Sequence, residues 1–173
     1  IMPSLVGSEM CIRDSFHRWL AVAVISLGIA ASAQAQTKSA PAILTVSSQQ
    51  SAAKDFSLAD LDALPQVEVK TTNPWSKSAV TYRGPLLRVV LEAAGAKGQE
   101  IRATALNDYS VVLPVADAME HNVILATRAD GQTLSVRDKG PVFVIYPFDA
   151  EPSLKQTTYY ERSIWQLRRL QIK

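Results

Sequence analysis

The stretch Val67–Trp75, VEVKTTNPW, ends an alternating strand pattern in two threonines, an Asn-Pro turn signal and a tryptophan. Thr71 and Thr72 bring hydroxyls that donate and accept, and Trp75 brings a flat π surface with one N–H donor. That set suits a planar ligand with polar edges. No nucleophile, general base or soft metal ligand stands beside it. Elsewhere the chain is equally poor in catalytic groups. After residue 35 the single histidine is His121, in the polar run MEHN, where exposure to solvent is expected. A lone His without Cys partners cannot build a zinc site of three or four ligands. A Ser–His–acid triad would have to use it, and no Gly-x-Ser-x-Gly elbow is present. Asp60 and Asp62 fall on different sides of a short predicted helix, a poor arrangement for a glycosidase pair. Asp117 and Glu120 carry no partner signal. Phosphate-loop, Gly-x-Gly-x-x-Gly and haem-attaching Cys-x-x-Cys-His motifs are all missing.

The elements that must position these side chains are mostly strands. Ile43–Val46 is a short strand within a Ser-, Ala- and Gln-rich lead-in, expected at a sheet edge. Ser57–Leu64 predicts a short helix capped by Ser57 and stopped by Pro65. Val67 and Val69 alternate with polar residues, the period of a half-buried strand. Ala79–Arg83 is a further strand closed by Gly84. Pro85 then fits the first turn of a helix whose stripe is Leu86, Leu87, Val90, Leu91 and Ala94, with Gly95 as its stop. Glu100–Leu106, Tyr109–Leu113 and Val123–Thr127 read as strands, with a short helix at Val115–Glu120. Asp130-Gly131 is a hairpin turn leading to Thr133–Val136. Val142–Tyr146 is apolar throughout, as a strand buried on both faces would be. Ile164–Ile172 fits either period and is read as a final strand with a break at Arg168-Arg169. The class is α+β, strand outweighing helix, in a single domain.

The chain ends set the compartment and the size. Ser4–Asp14, SLVGSEMCIRD, resembles translated sequencing-adapter read-through, so residues 1–15 are expected to be a non-native leader. Residues 16–35 read as a signal peptide: His17 and Arg18, an apolar core from Trp19 to Ala31, and small residues at a cleavage site after Ala35. That core is shorter than the roughly 18–20 residues needed to cross a bilayer. A periplasmic location follows. Residues 36–55 form the lead-in and residues 56–173 the domain. Cys11 is the only cysteine, so a chain cut after Ala35 has no thiolate, disulfide or Cys metal ligand. It keeps 16 basic and 14 acidic residues, a net charge of +2 over 138 residues. So weak a balance gives no basic face for nucleic acid.

Several pieces, taken in order, carry a resemblance. They are Tyr-Arg-Gly-x-Leu-Leu at the first long helix, Ala105-Leu106-Asn107-Asp108-Tyr109, and Ile124-Leu125-Ala126 before Asp130-Gly131. Arg137-Asp138-Lys139-Gly140-Pro141 and Arg162-Ser163-Ile164-Trp165 complete the set. Together they resemble the sulfite-oxidase-type molybdopterin-binding domain in its small periplasmic single-domain form, over most of Gln66–Lys173. The resemblance implies a compact, strand-rich, barrel-like mixed α/β fold with a pterin where several loops meet. It implies that Lys139, Gly140 and Pro141 approach the pterin through their backbone, and that Arg162 and Ser163 contact it. Asn107, Asp108 and Tyr109 would line the same cleft.

The resemblance also carries a departure. Catalytic members hold molybdenum through a Cys thiolate at the place where VEVKTTNPW stands here. A neutral hydroxyl or an indole cannot replace that soft anionic donor. The expectation is therefore a cysteine-less pterin-binding protein, metal-free and non-catalytic, with no haem of its own. Subgroups of this kind work beside membrane signalling enzymes, so a membrane-bound signalling or redox protein is the expected partner. Trp75 would stack on the ring, Thr71 and Thr72 would bond its edge, and Arg137, Lys139 and Arg162 would meet a polar tail or phosphate. The alternative is a genuine molybdopterin-dependent oxidoreductase domain or subunit.

Overall fold

The computed structural model describes residues 40–173. The segments expected to be a leader and a signal peptide, with the expected cleavage after Ala35, and Cys11 lie outside the described residues. Eleven strands, four short helices and two 3₁₀ turns are arranged in three sheets among the described residues. The largest sheet has the order β2-β1-β11-β5-β6, built from Lys54–Ser57, Ala42–Ser48, Leu167–Ile172, Glu100–Ala105 and Ser110–Pro114. Only β1 and β11 run parallel in it; the other neighbours are antiparallel. The strand expected at an edge therefore lies inside the sheet, and β2 takes the edge. The second sheet, β3-β4-β8-β9, comprises Gln66–Thr71, Val80–Pro85, Arg128–Ala129 and Gln132–Thr133. Asp130 and Gly131 join β8 to β9 with φ of 47° and 80°, the left-handed pair that a type I′ hairpin requires.

The third sheet is the two-stranded ribbon of β7 (Ile124–Ala126) and β10 (Phe143–Ile145), and it explains the continuous apolar run. Its side chains alternate between two cores. Leu125 and Val144 pack with the large cluster on the five-stranded sheet, with Leu44, Ile101 and Leu170. Ile124, Ala126, Phe143 and Ile145 pack with Val69, Tyr82 and Leu134. A ribbon apolar on both faces is what separates two hydrophobic layers. Gly84 lets β4 cross this ribbon: a Cβ there would lie 1.9 Å from the Leu125 carbonyl oxygen.

Helix α1 (Leu58–Ala63) begins with a capping box in which Ser57 and Asp60 bond each other's backbone N–H. Helix α2 (Leu87–Ala93) buries Leu87, Val90 and Leu91 and is followed by Gly95 at φ 63°. Pro85 is the last residue of β4 and not part of the helix, because it pairs with Gln66 across the sheet. Helix α3 spans Val115–Glu120, the residues predicted. Helix α4 (Thr157–Arg162) has no counterpart in the sequence reading. In β11 a register shift between Leu167 and Arg169 lets Leu167 and Leu170 both face the core while the two arginines stay exposed. The two carboxylates of α1 do diverge, Asp60 to its cap and Asp62 to Arg128 in a two-point ion pair at 2.6 and 2.7 Å.

Candidate functional site

The strand β3 delivers the chain to Trp75 through a side-chain-braced turn. Asn73 Oδ1 accepts from the Trp75 backbone N–H at 3.0 Å, and Asn73 Nδ2 donates to the Tyr82 hydroxyl at 3.1 Å. Asn73 is buried, so both bonds are shielded from water. This holds a half-buried Trp75 against Phe143, Tyr160 and Trp165, with ring centroids 5.9, 6.2 and 5.4 Å apart and edge-to-face angles.

Trp75, Tyr160 and Trp165 wall a cavity of about 380 Å³, within the usual range for small-molecule sites. Of the predicted residues, Trp75, Asn107, Tyr109 and Ser163 line it. Asn107 and Tyr109 come from the β5–β6 turn. There Asp108 sits at φ 62°, and Asn107 Oδ1 accepts from the Tyr109 N–H at 3.2 Å. Asp108 itself is exposed and outside the lining. Ser163 is buried, with its hydroxyl donating to the Tyr159 carbonyl at 2.9 Å.

The other predicted residues are placed differently. Thr71 and Thr72 face Asp149: the Thr72 N–H and hydroxyl donate to its carboxylate at 2.6 and 2.7 Å, and the Asp149 N–H donates to Thr71 Oγ1 at 3.2 Å. Lys155 adds an ion pair to the same carboxylate at 2.7 Å. Lys155 and the Thr72 bonds hold Asp149 well below the ordinary carboxylate range, at about 2. Arg162 turns to buried Asp117 at 2.8 Å and over the Tyr159 ring. Asp117 also accepts from the buried Tyr146 hydroxyl at 2.8 Å. Burial and then the Asp117 charge push that phenol far above its ordinary range, so it stays a donor. Arg137, Lys139 and Gly140 belong to the turn to which Gln166 hydrogen-bonds and do not line the cavity. Lys139, at φ 73°, accepts through its carbonyl from the Gln166 N–H at 2.9 Å. Gly140 is needed for close approach, since a Cβ there would meet the Leu134 carbonyl at 2.1 Å.

Six lining residues are not among the predicted site residues: Ala105, Thr157, Tyr160, Glu161, Ile164 and Trp165. Trp165 alternates with apolar neighbours and reads as core, yet it is 38% exposed. Gln166, at φ 53°, breaks the strand period there, and no residue-type signal announces it. His121, expected at the open surface, is part-buried, with Nδ1 2.6 Å from Glu151 Oε2 and its ring edge-on to Tyr159.

Two parts of a molybdopterin can be tested against this donor set. The planar ring fits: Trp75, Trp165, Tyr160 and Tyr109 provide faces and edges, and Asn107 and Thr157 provide polar groups. A protein thiolate for the metal does not fit. No cysteine occurs among the described residues, and they contain no cluster of three or more His, Cys, Asp or Glu able to hold a metal. The lining also contains no Lys or Arg to receive a phosphate.

Comparison with known proteins agrees with this architecture. A chain of the crystal structure of the sulfane dehydrogenase SoxCD from Paracoccus pantotrophus is similar at 19% identity and a TM-score of 0.56. The similarity covers 75% of the present chain and 37% of that chain, so the present chain spans well under half its length. No curated protein matches. The family model of the oxidoreductase molybdopterin binding domain matches residues 34–149. That interval starts before the Gln66 at which the sequence resemblance begins and stops before Arg162–Trp165. With two thirds of its length matched, the chain belongs to the oxidoreductase molybdopterin-binding domain family.

Proposed function

We propose that this chain is a periplasmic pterin-holding protein, non-catalytic and metal-free, that presents its loaded state to a membrane-bound partner. One observation carries the reading: an aromatic-walled cavity on a molybdopterin-domain fold, in a stretch of chain that contains no thiolate. The pterin ring would lie against the faces that Trp75 and Trp165 turn to the cavity, with Tyr160 and Tyr109 closing the sides. Asn107 and Thr157 would meet its polar edge. Stacking on such rings contributes about 1–3 kcal/mol per heterocycle, by analogy with nucleobases. The leader Phe16–Ala35 supports the compartment. The partner is inferred from the family resemblance.

The test uses the chain's own fluorophores. Trp75 and Trp165 are the only tryptophans after residue 35, and both line the cavity. Titrating the purified protein with oxidised and reduced pterins should quench most of its tryptophan emission with a single saturable transition. Unchanged emission and no heat of binding would refute the proposal. Family membership supports a second reading, a molybdenum oxidoreductase domain. That reading instead requires molybdenum bound in stoichiometric amount.

A further inference from the structure

The cavity has one formally charged lining residue, Glu161. Its sequence neighbour Arg162 would be the obvious counter-ion, but that guanidinium is held by Asp117 at 2.8 Å. Among the described residues Glu161 has no ion-pair partner. It is exposed, at the C-terminal part of α4, next to Tyr160 in sequence, and lines the cavity together with Asn107 and Tyr109 of the β5–β6 turn. An unpaired carboxylate beside aromatic faces is acceptor-only. It therefore favours a ligand edge that presents donors and penalises one that presents acceptors or negative charge.

We infer that Glu161 is the specificity residue of the cavity and selects flat heterocycles bearing a 2-amino-4-oxopyrimidine edge. This rests on the reading of the cavity as a pterin site and adds which chemical edge is recognised. Such an edge carries a ring N–H and an exocyclic NH₂ side by side, and a carboxylate accepts both in a two-point, charge-assisted pair. The 2,4-dioxo counterpart, as in lumazine, replaces the amino donor with a carbonyl. One carboxylate oxygen then faces an acceptor, so the two-point, charge-assisted pair falls to a single bond. A ring with the same faces and nearly the same shape thus separates stacking from edge recognition.

The experiment compares 6-hydroxymethylpterin with 6-hydroxymethyllumazine by calorimetric titration of the full mature chain and of Glu161→Gln. The wild-type protein is expected to prefer the pterin by at least about tenfold. Glu161→Gln, which keeps the size and turns one acceptor into a donor, should weaken the pterin about tenfold and hold the lumazine at least as tightly as wild type does. Equal wild-type affinities for the two rings would overturn the role of Glu161 while leaving the cavity a pteridine site. Pterin binding by Glu161→Gln as tight as that of wild type would overturn that role equally. Binding of neither ring would overturn the pterin reading itself, and this inference with it.

Discussion

Trp75 reaches its position through a polar device, the Asn73 side chain that caps its N–H and ties to Tyr82. The indole is only half-buried, so a face remains for a ligand. Trp75→Ala should weaken pterin binding at least about tenfold, which is about 1.4 kcal/mol. Calorimetric titration reads this directly, and unchanged affinity would remove Trp75 from the site. The short stretch ending in Asn-Pro-Trp made the half-buried placement of this residue legible, because a strand that stops in turn-formers tends to expose the side chain after the turn. The two threonines beside it misled for a physical reason. Their hydroxyls are captured by Asp149, 77 and 78 positions away, and no local pattern encodes a partner so distant in sequence. The cation Arg162 was likewise drawn off by a buried acid on α3.

Among the elements, those with a strong period were readable and those made by tertiary contact were not. Strands β3 and β5 follow from alternation, β10 from a continuous apolar run and helix α2 from an apolar stripe. Helix α4 has six residues, no side-chain cap and no buried residue of its own, so nothing in its sequence marks it. It is fastened instead through Arg162, Asp117 and Tyr146. Asp117→Asn keeps the shape and removes the charge, leaving the guanidinium without its partner. Removing one partner of a buried pair costs about 3–5 kcal/mol, and the part-exposed Arg162 lowers the expected loss to about 2 kcal/mol in chemical denaturation. A variant as stable as wild type would show that α4 is held by something else.

A second fastening joins the end of β3 to the loop after β10 through Asp149. Its carboxyl titrates at about 2 in the folded chain, below its ordinary 3.8. The folded state therefore binds fewer protons than the unfolded state between these values. The stabilisation is complete above about pH 4 and is lost as pH falls towards 2. Asp149→Asn should flatten the stability profile in that window, measured by thermal melts at stepped pH. An unaltered acid slope would assign the acid sensitivity to other carboxylates.

At the level of the whole molecule, two hydrophobic cores share one ribbon, β7–β10, and β4 crosses that ribbon at Gly84. Gly84→Ala would drive a methyl into the Leu125 carbonyl, and such overpacking of backbone should cost about 3 kcal/mol. Equilibrium unfolding that matched wild type would contradict the close approach. The Val142–Tyr146 run announced burial on both faces, yet that its two faces serve different cores emerges only when the sheets assemble. At the other end of the chain, removing residues 1–15 should leave secretion of the protein intact. Its loss, seen by fractionating the host cell, would mean that the leader begins earlier than Phe16.

The central claim is that the cavity holds an organic pterin without a protein-ligated metal. Its most direct test is the content of the protein purified from its own host. Mass spectrometry of the denatured protein and molybdenum determination are made on one sample. The expected result is a released pteridine approaching one per chain, with molybdenum far below one per chain. Molybdenum near one equivalent would contradict the claim and assign the chain to the catalytic members of its family.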